Sequence, residues 1–80
     1  MLTSDKVLQT SVSELLEGGS KLALKDGSQW KIAPYFKLEV FEHWRHRDNV
    51  TVREVSDDPA YPWTIFNKDE GFEVAAKRIN

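Results

Sequence analysis

One stretch of the sequence decides the fold, and it reads LALKDGSQWKI from Leu22 to Ile32. Apolar side chains alternate with polar ones on both sides of Asp26-Gly27, which is the pattern of two β-strands joined by a turn. If Leu22 shares a face with Trp30, the loop must hold an odd number of residues, because side chains alternate between the two faces of a strand. A loop over Lys25–Gly27 places the glycine where a type I turn with a bulge needs left-handed backbone. The stretch predicts a β-hairpin in which Leu22 faces Trp30.

Three more strands are predicted C-terminal to this hairpin. Turn sequences rich in Asp, Pro, Asn and Gly separate them, and they cover Asn49 to Ser56, Trp63 to Phe66 and Phe72 to Ala76. In the first of them, Val55 is out of phase with Val50 and Val52. A bulge near Arg53-Glu54 would restore the phase and bend the strand, as a sheet that curls onto itself requires.

The N-terminal segment from Val7 to Leu15 fits two structures. Its content of Val, Thr and Ser is typical of a strand, which would pair with the strand at Lys21 through a turn over Glu17–Ser20. The spacing of Ser11 and Glu14 is also that of a helix capping box. We favour the strand and leave the helix as the alternative.

The segment from Phe36 to Trp44 predicts one short helix. Phe36, Val40 and Trp44 recur at four-residue spacing, and Phe41 falls beside them on a helical face. Short strands with frequent turns and one helical crossover are typical of small β-barrels. We therefore predict an all-β fold, a five- to six-stranded barrel or strongly curled antiparallel sheet of the OB or SH3-like kind, with the helix at one end. An open meander sheet with a helix on one face is the alternative.

The composition limits the classes of protein to which the chain can belong. Its 80 residues include no cysteine, so we expect one domain over residues 1–80 without disulfides or thiol chemistry. The net charge of -2 is too small to indicate a strongly basic nucleic-acid binder. The longest stretch without a charged residue is far shorter than the roughly 20 residues of a membrane span. With no signal-peptide pattern, we expect a cytoplasmic protein, and a processed or trimmed secreted chain is the alternative. We also expect a monomer or a weak homodimer without membrane contact.

The hairpin sequence also resembles that of a group of known proteins. Together with the Tyr61-Pro62-Trp63 turn and the ending from Asn67 to Val74, it resembles short uncharacterised bacterial all-β proteins with an L-x-L-x-D-G-S-x-W hairpin. The resemblance covers roughly half of the chain and implies the same all-β architecture. It brings no activity and no functional residue with it.

The densest polar cluster runs from Glu42 to Asp48. On a helix, His43 and His46 would share a face and could bind a metal ion together with a carboxylate. Arg45 and Arg47 lie beside them, and two guanidinium groups would repel a cation. We therefore predict no metal site and no cofactor.

The same cluster favours a binding function, because aromatic and positively charged side chains occur together there. Bases of single-stranded nucleic acid stack on aromatic rings while a basic groove follows the phosphates. The candidate residues for such a site are Tyr35, Trp44, Arg45, His46, Arg47 and Arg53. The interpretation requires Tyr35 or Trp44 to be exposed near the arginines, whereas a small core also needs its aromatic residues.

A protein partner is the function that we rank first. In the turn from Asp57 to Trp63, Tyr61 and Trp63 accompany two prolines and would form an exposed aromatic rim, unless Trp63 enters the core. No enzyme is predicted, because the sequence has no phosphate-binding glycine loop and its serines have ordinary turn or strand-end positions. We expect a non-catalytic binding or accessory module that takes part in protein–protein interaction, with single-stranded nucleic acid as the alternative ligand.

Overall fold

The computed structural model describes residues 7–54 and 58–80, and these form a closed antiparallel β-barrel. Its six strands are β1 (Val7–Leu16), β2 (Lys21–Leu24), β3 (Gln29–Ile32), β4 (Asn49–Arg53), β5 (Trp63–Asn67) and β6 (Phe72–Arg78). Between β3 and β4 lies a 10-residue helical segment. It begins with a 3₁₀ turn over Pro34–Phe36 and continues as α1 (Lys37–His43). The prediction of a small all-β barrel with one short helix is confirmed.

The barrel closes through β1, which has two partners. Its first half pairs with β4 from Val7 to Ser11, and its second half pairs with β2 from Val12 to Leu16. The register shifts between Val12 and Glu14, so that a bulge bends β1 where it changes partners. The N-terminal segment is thus a strand, as favoured. The bulge predicted near Arg53-Glu54 depends on Val55, which lies outside the described residues, and β4 ends at Arg53.

The hairpin has the predicted register. Leu22 pairs with Trp30. The three-residue loop is closed by hydrogen bonds from the Gly27 amide to the Leu24 carbonyl at 3.0 Å and from the Leu24 amide to the Ser28 carbonyl at 2.9 Å. Gly27 has φ 93°, a backbone conformation that glycine adopts without the steric cost a Cβ would add. The Asp-Gly signal therefore determines the loop length and, with it, the face on which Trp30 lies.

The core surrounds the indole of Trp30, which is 1% exposed. Trp63 packs edge-on against it, with ring centroids 5.1 Å apart. Truncation of a buried aromatic side chain to alanine typically lowers the free energy of unfolding by about 3–5 kcal/mol. Other inward-facing side chains of the barrel strands complete this core, among them Val12, Leu22, Leu24, Ile32, Val50, Val52, Ile65, Val74 and Ala76.

The D-G-S-x-W motif holds this indole in place. The Trp30 Nε1–H donates a hydrogen bond to Ser28 Oγ at 2.8 Å, and the Ser28 hydroxyl donates to Asp26 Oδ1 at 2.6 Å. Ser28 is buried, and Asp26 also accepts the Ser28 amide at 3.0 Å. Burial alone would raise the pKa of Asp26, but these hydrogen bonds and the nearby charge of Arg78 outweigh it and lower the pKa. The conspicuous motif is therefore structural.

The helix covers one end of the barrel, as predicted, but its buried face differs from the expected one. Val40 and Trp44 are buried and Phe36 is half-buried, whereas Phe41 is 61% exposed. One step along a helix turns the side chain by about 100°, so Phe41 lies beside the buried Val40 rather than over the barrel. It lies over Gly19, where an added Cβ would come within 3.0 Å of the Phe41 Cβ. Of the four residues assigned to one helical face, Phe41 is therefore the one that stays exposed.

Candidate functional site

Trp44 is not available as a binding surface. Its side chain is 1% exposed and belongs to the core cluster. Its indole N–H has no hydrogen-bond partner among the described residues. The prediction that Trp44 stacks on a ligand is therefore wrong, because the four-residue spacing that predicted the helix also turns this residue into the barrel.

Tyr35 is exposed, but it lies beside an acidic group. Its side chain is 66% exposed, its ring packs 4.7 Å from that of Phe36, and its hydroxyl donates a hydrogen bond to Asp58. That hydrogen bond raises the pKa of the phenol and lowers the pKa of the Asp58 carboxyl. A carboxylate at the tip of the ring repels phosphate. Tyr35 does not meet the electrostatic requirement of a nucleic-acid platform.

Arg45 closes the end of α1. Its guanidinium Nη1 donates to the carbonyl oxygens of Glu42 at 3.1 Å and Trp44 at 3.4 Å, and its amide donates to Asp48 Oδ2 at 2.8 Å. Cations are favourable at the C-terminal end of a helix, where carbonyl groups lack partners. The Arg45 side chain thus caps the C-terminal end of α1.

His46 and Arg47 follow in a turn beyond the helix. The imidazole Nδ1 of His46 lies 2.6 Å from the carbonyl oxygen of Ser13 on β1. Since α1 ends at His43, the two histidines do not share a helical face, and His43 instead lies 3.8 Å from Glu39. Within residues 7–54 and 58–80, no three His, Asp or Glu side chains are grouped so as to hold a metal ion.

The other three candidates lie apart from this turn. Arg53 is exposed at the far end of β4, which separates it from Asn49 by about 13 Å of extended chain. Tyr61 is half-buried, with the Lys77 ammonium 5.9 Å from its ring centroid. Trp63 is half-buried against Trp30, so it belongs mainly to the edge of the core. The structure does not bring the predicted site residues together on one surface.

A groove lies beside α1, and we call it the α1 groove. The sequence patterns did not predict it. Its volume is about 420 Å³ and its lining consists of Gly18, Pro34, Lys37, Leu38 and Phe41. Gly19 makes it possible, because an added Cβ there would lie 2.9 Å from the Lys37 carbonyl oxygen and push the helix outward. Leu38 lies opposite the buried Val40 on α1 and is 66% exposed. A helical wheel centred on Val40 would have revealed this apolar outer face.

Positive charge surrounds the Gly18 side of the groove. Glu17 forms an ion pair with Lys21 at 2.8 Å. The hydrogen bond from Lys21 and its charge lower the pKa of Glu17, and Lys31 and Lys37 contribute in the same direction. Three lysines thus act on one carboxylate, so these four residues together carry an excess of positive charge on this rim of the groove.

A second concavity lies where β1 changes partners, and we call it the β1 pocket. Its volume is about 510 Å³, and it is lined by Ser11, Val12, Ser13, Lys25, His46 and Arg47. Three segments that are distant in sequence meet there: the middle of β1, the β2–β3 loop and the turn after α1. It contains two of the predicted site residues, His46 and Arg47.

Comparisons with known proteins do not identify a family or a function for this chain. No protein-family model matches the chain, and no significant match is found among curated proteins or among solved structures. The resemblance of the hairpin to short bacterial all-β proteins therefore stays a prediction. In residues 7–54 and 58–80, no helix combines the length and apolar character that crossing a bilayer would need.

Proposed function

We propose that the protein is a non-catalytic binding module that receives a bulky apolar side chain of a protein partner in the α1 groove. One observation carries this proposal. Tyr35, Leu38 and Phe41 are 61–66% exposed, more than the other large hydrophobic side chains of the described residues that reach the surface, and all three belong to the helical segment. Single exposed hydrophobic residues are ordinary, whereas exposed ones that line one groove, as Leu38 and Phe41 do, are typical of an interaction surface.

The core does not need these side chains. Val40 on the inner face of α1 and Trp44, which directly follows the helix, already belong to the buried core. Leu38 and Phe41 lie three residues apart on the outer side, the spacing at which a helix presents neighbouring anchors to a partner. Their exposure is therefore a feature of the surface and not a remainder of core packing.

The charge around the groove indicates the chemistry of the partner. Lys37 is the charged residue of its lining, and Lys21 and Lys31 add to the positive rim. A partner segment with a Leu, Phe or Trp anchor flanked by Asp or Glu complements both properties. A stable dimer buries about 800 Å² on each partner, which a seven-residue helix does not offer to a second copy.

We also propose that the barrel follows the OB or SH3-like plan in its use of connections for binding. In such small barrels the interior is filled by side chains, and loops and the strand faces next to them receive ligands. The α1 groove fits this plan, because it is built from the β1–β2 and β3–β4 connections.

Selection of a random peptide library on the intact protein tests the proposal. We expect enrichment of peptides with an apolar anchor beside acidic residues. Leu38→Ser and Phe41→Ser should each weaken the selected peptides at least tenfold, as for anchors that dominate an interface. Both side chains are exposed, so neither variant should lose its fold.

The matched control is Ile79→Ser, since Ile79 is 41% exposed and does not line the groove. Its peptide affinity should equal that of the wild type. Equal binding by all three variants would refute the proposed site. Sedimentation of the wild type and the Phe41→Ser variant provides a further arm: a dimer that disappears in this variant would show that a second copy occupies the groove, contrary to the proposal.

A further inference from the structure

We infer that the β1 pocket binds a phosphate group, free or carried by a small molecule. Its lining brings together a lysine, an arginine, a histidine and two serine hydroxyls. These are the donors that proteins use for phosphate, since guanidinium offers a planar fork of N–H groups and ammonium a compact charge. Within the described part of the chain, no residue lines both this pocket and the α1 groove, so the inference is independent of the proposed partner.

No carboxylate of the described residues forms an ion pair with the lysine or the arginine of the pocket, Lys25 and Arg47. Each is followed in sequence by an aspartate, but both aspartates are engaged elsewhere. Asp26 accepts hydrogen bonds from Ser28, and Asp48 accepts them from the Arg45 amide and from Asn67 Nδ2. The acids stabilise the two turns, and the adjacent cations remain available to an external anion.

Arg47 occupies a conformation that favours glycine. Its φ is 77°, in a turn closed by a 3.1 Å hydrogen bond from the Asp48 amide to the Arg45 carbonyl. The Arg47 amide donates to the Val12 carbonyl at 2.8 Å, which holds the turn against β1. Glycine or asparagine would be the easier residue at a turn position with positive φ. An arginine in a strained conformation beside a basic pocket suggests a function for its side chain.

His46 is held against β1 by a hydrogen bond. A carbonyl oxygen only accepts, so the imidazole Nδ1 must donate its hydrogen to Ser13. This bond fixes the ring against β1 and leaves Nε2 without a partner among the described residues.

The lining favours a phosphate group over a nucleic-acid strand. Among the described residues that line the pocket, Val12 is the apolar one, and no Phe, Tyr or Trp ring is present. Binding of single strands depends on stacking of bases on aromatic rings as well as on charge. A volume of about 510 Å³ accommodates a phosphate together with part of a small molecule that carries it.

Titration of the ¹⁵N-labelled protein with inorganic phosphate, followed by amide shifts, tests the site. We expect saturable shifts at the pocket residues with a Kd of about 1 mM or tighter, and no saturation with sodium chloride at equal ionic strength. Arg47→Gly and Lys25→Gln should each weaken binding at least tenfold, because charge-assisted hydrogen bonds are lost. The glycine variant suits the backbone conformation, so its fold should persist.

Lys77→Gln is the matched control, because it removes the same charge from β6, outside the pocket. Its affinity for phosphate should be that of the wild type. If this control weakens binding as much as Lys25→Gln, the attraction is merely one of net charge and the site is refuted. Titrations with adenosine monophosphate and with a single-stranded oligonucleotide distinguish the sources of phosphate. Tighter binding of the monophosphate supports a small-molecule ligand, and a response to the oligonucleotide alone would overturn the inference.

Discussion

Two turns flank the middle of β1, and they use the same backbone conformation in opposite ways. The β2–β3 turn has Gly27 at φ 93°, and the turn from Arg45 to Asp48 has Arg47 at φ 77°. Each turn contributes one cation to the β1 pocket, Lys25 from the first and Arg47 from the second. The first turn has the residue that its conformation favours, whereas the second has a bulky side chain at a strained position.

The difference indicates how stability and surface chemistry are divided between the two turns. In the first, the buried Ser28 hydroxyl accepts the Trp30 indole N–H and is itself held by the exposed Asp26 carboxylate. In the second, Asp48 holds the turn while the Arg47 side chain lies at the surface. We infer that the first turn serves the fold and that the second places a cation at some cost in free energy.

Removal of the Ser28 hydroxyl should have the largest effect on stability. Ser28→Ala leaves the buried Trp30 N–H without an acceptor, which lowers the free energy of unfolding by about 1–3 kcal/mol. Urea denaturation measures this difference. Ser20→Ala is the control, since its hydroxyl donates to the Glu17 carbonyl at an exposed position and its loss should change stability by less than about 0.5 kcal/mol. Equal effects of the two variants would contradict a structural role for the motif.

Exchanges at Gly27 and Arg47, the positive-φ positions compared in these two turns, should have intermediate effects of opposite sign. Gly27→Ala introduces a Cβ into left-handed backbone and should lower the free energy of unfolding by about 1 kcal/mol, although open space surrounds that position. Arg47→Gly relieves the same strain but adds backbone entropy to the unfolded chain, so stability should rise by up to about 1 kcal/mol. Thermal and urea unfolding of both variants give the two signs. A decrease in both would show that Arg47 stabilises its turn and would remove the contrast.

The smallest effect concerns acid stability through Asp26. Its pKa is lower in the folded protein than in the unfolded chain, so its contribution to stability is complete above about pH 4 and is lost as the pH falls through the folded-state pKa. Asp26→Asn removes this titration. The difference in free energy of unfolding between the wild type and this variant should therefore be constant near neutral pH and should decrease below about pH 4. A difference that does not change down to pH 2 or so would contradict the lowered pKa.

The strands were predictable because their patterns are local. The alternation around Trp30 and the Asp-Gly turn act over a few residues, and the observed register of Leu22 with Trp30 follows from them. The helix was predictable from Val40 and Trp44 for the same reason. The exposure of Phe41 was not predictable, because the barrel covers only part of the apolar face of the helix. Which part it covers depends on the close contact between α1 and Gly19.

The candidate surface was less predictable, since a binding site depends on residues that approach from distant segments. The sequence correctly pointed to polar chemistry around His46 and Arg47 but joined them with Trp44, which the barrel buries. Their actual neighbours are Ser13 and Lys25, and nothing in the sequence between them indicates this proximity.

The sequence by itself determined the period-two strands, the three-residue hairpin loop and the single helix, because hydrophobic alternation and glycine conformation act locally. Only the tertiary structure decided which aromatic residues remained at the surface and which cations came together. Closure of the barrel through both halves of β1 brings the β2–β3 loop and the turn after α1 to one place. Such long-range pairing depends on the packing of the whole core, and it creates both the α1 groove and the β1 pocket.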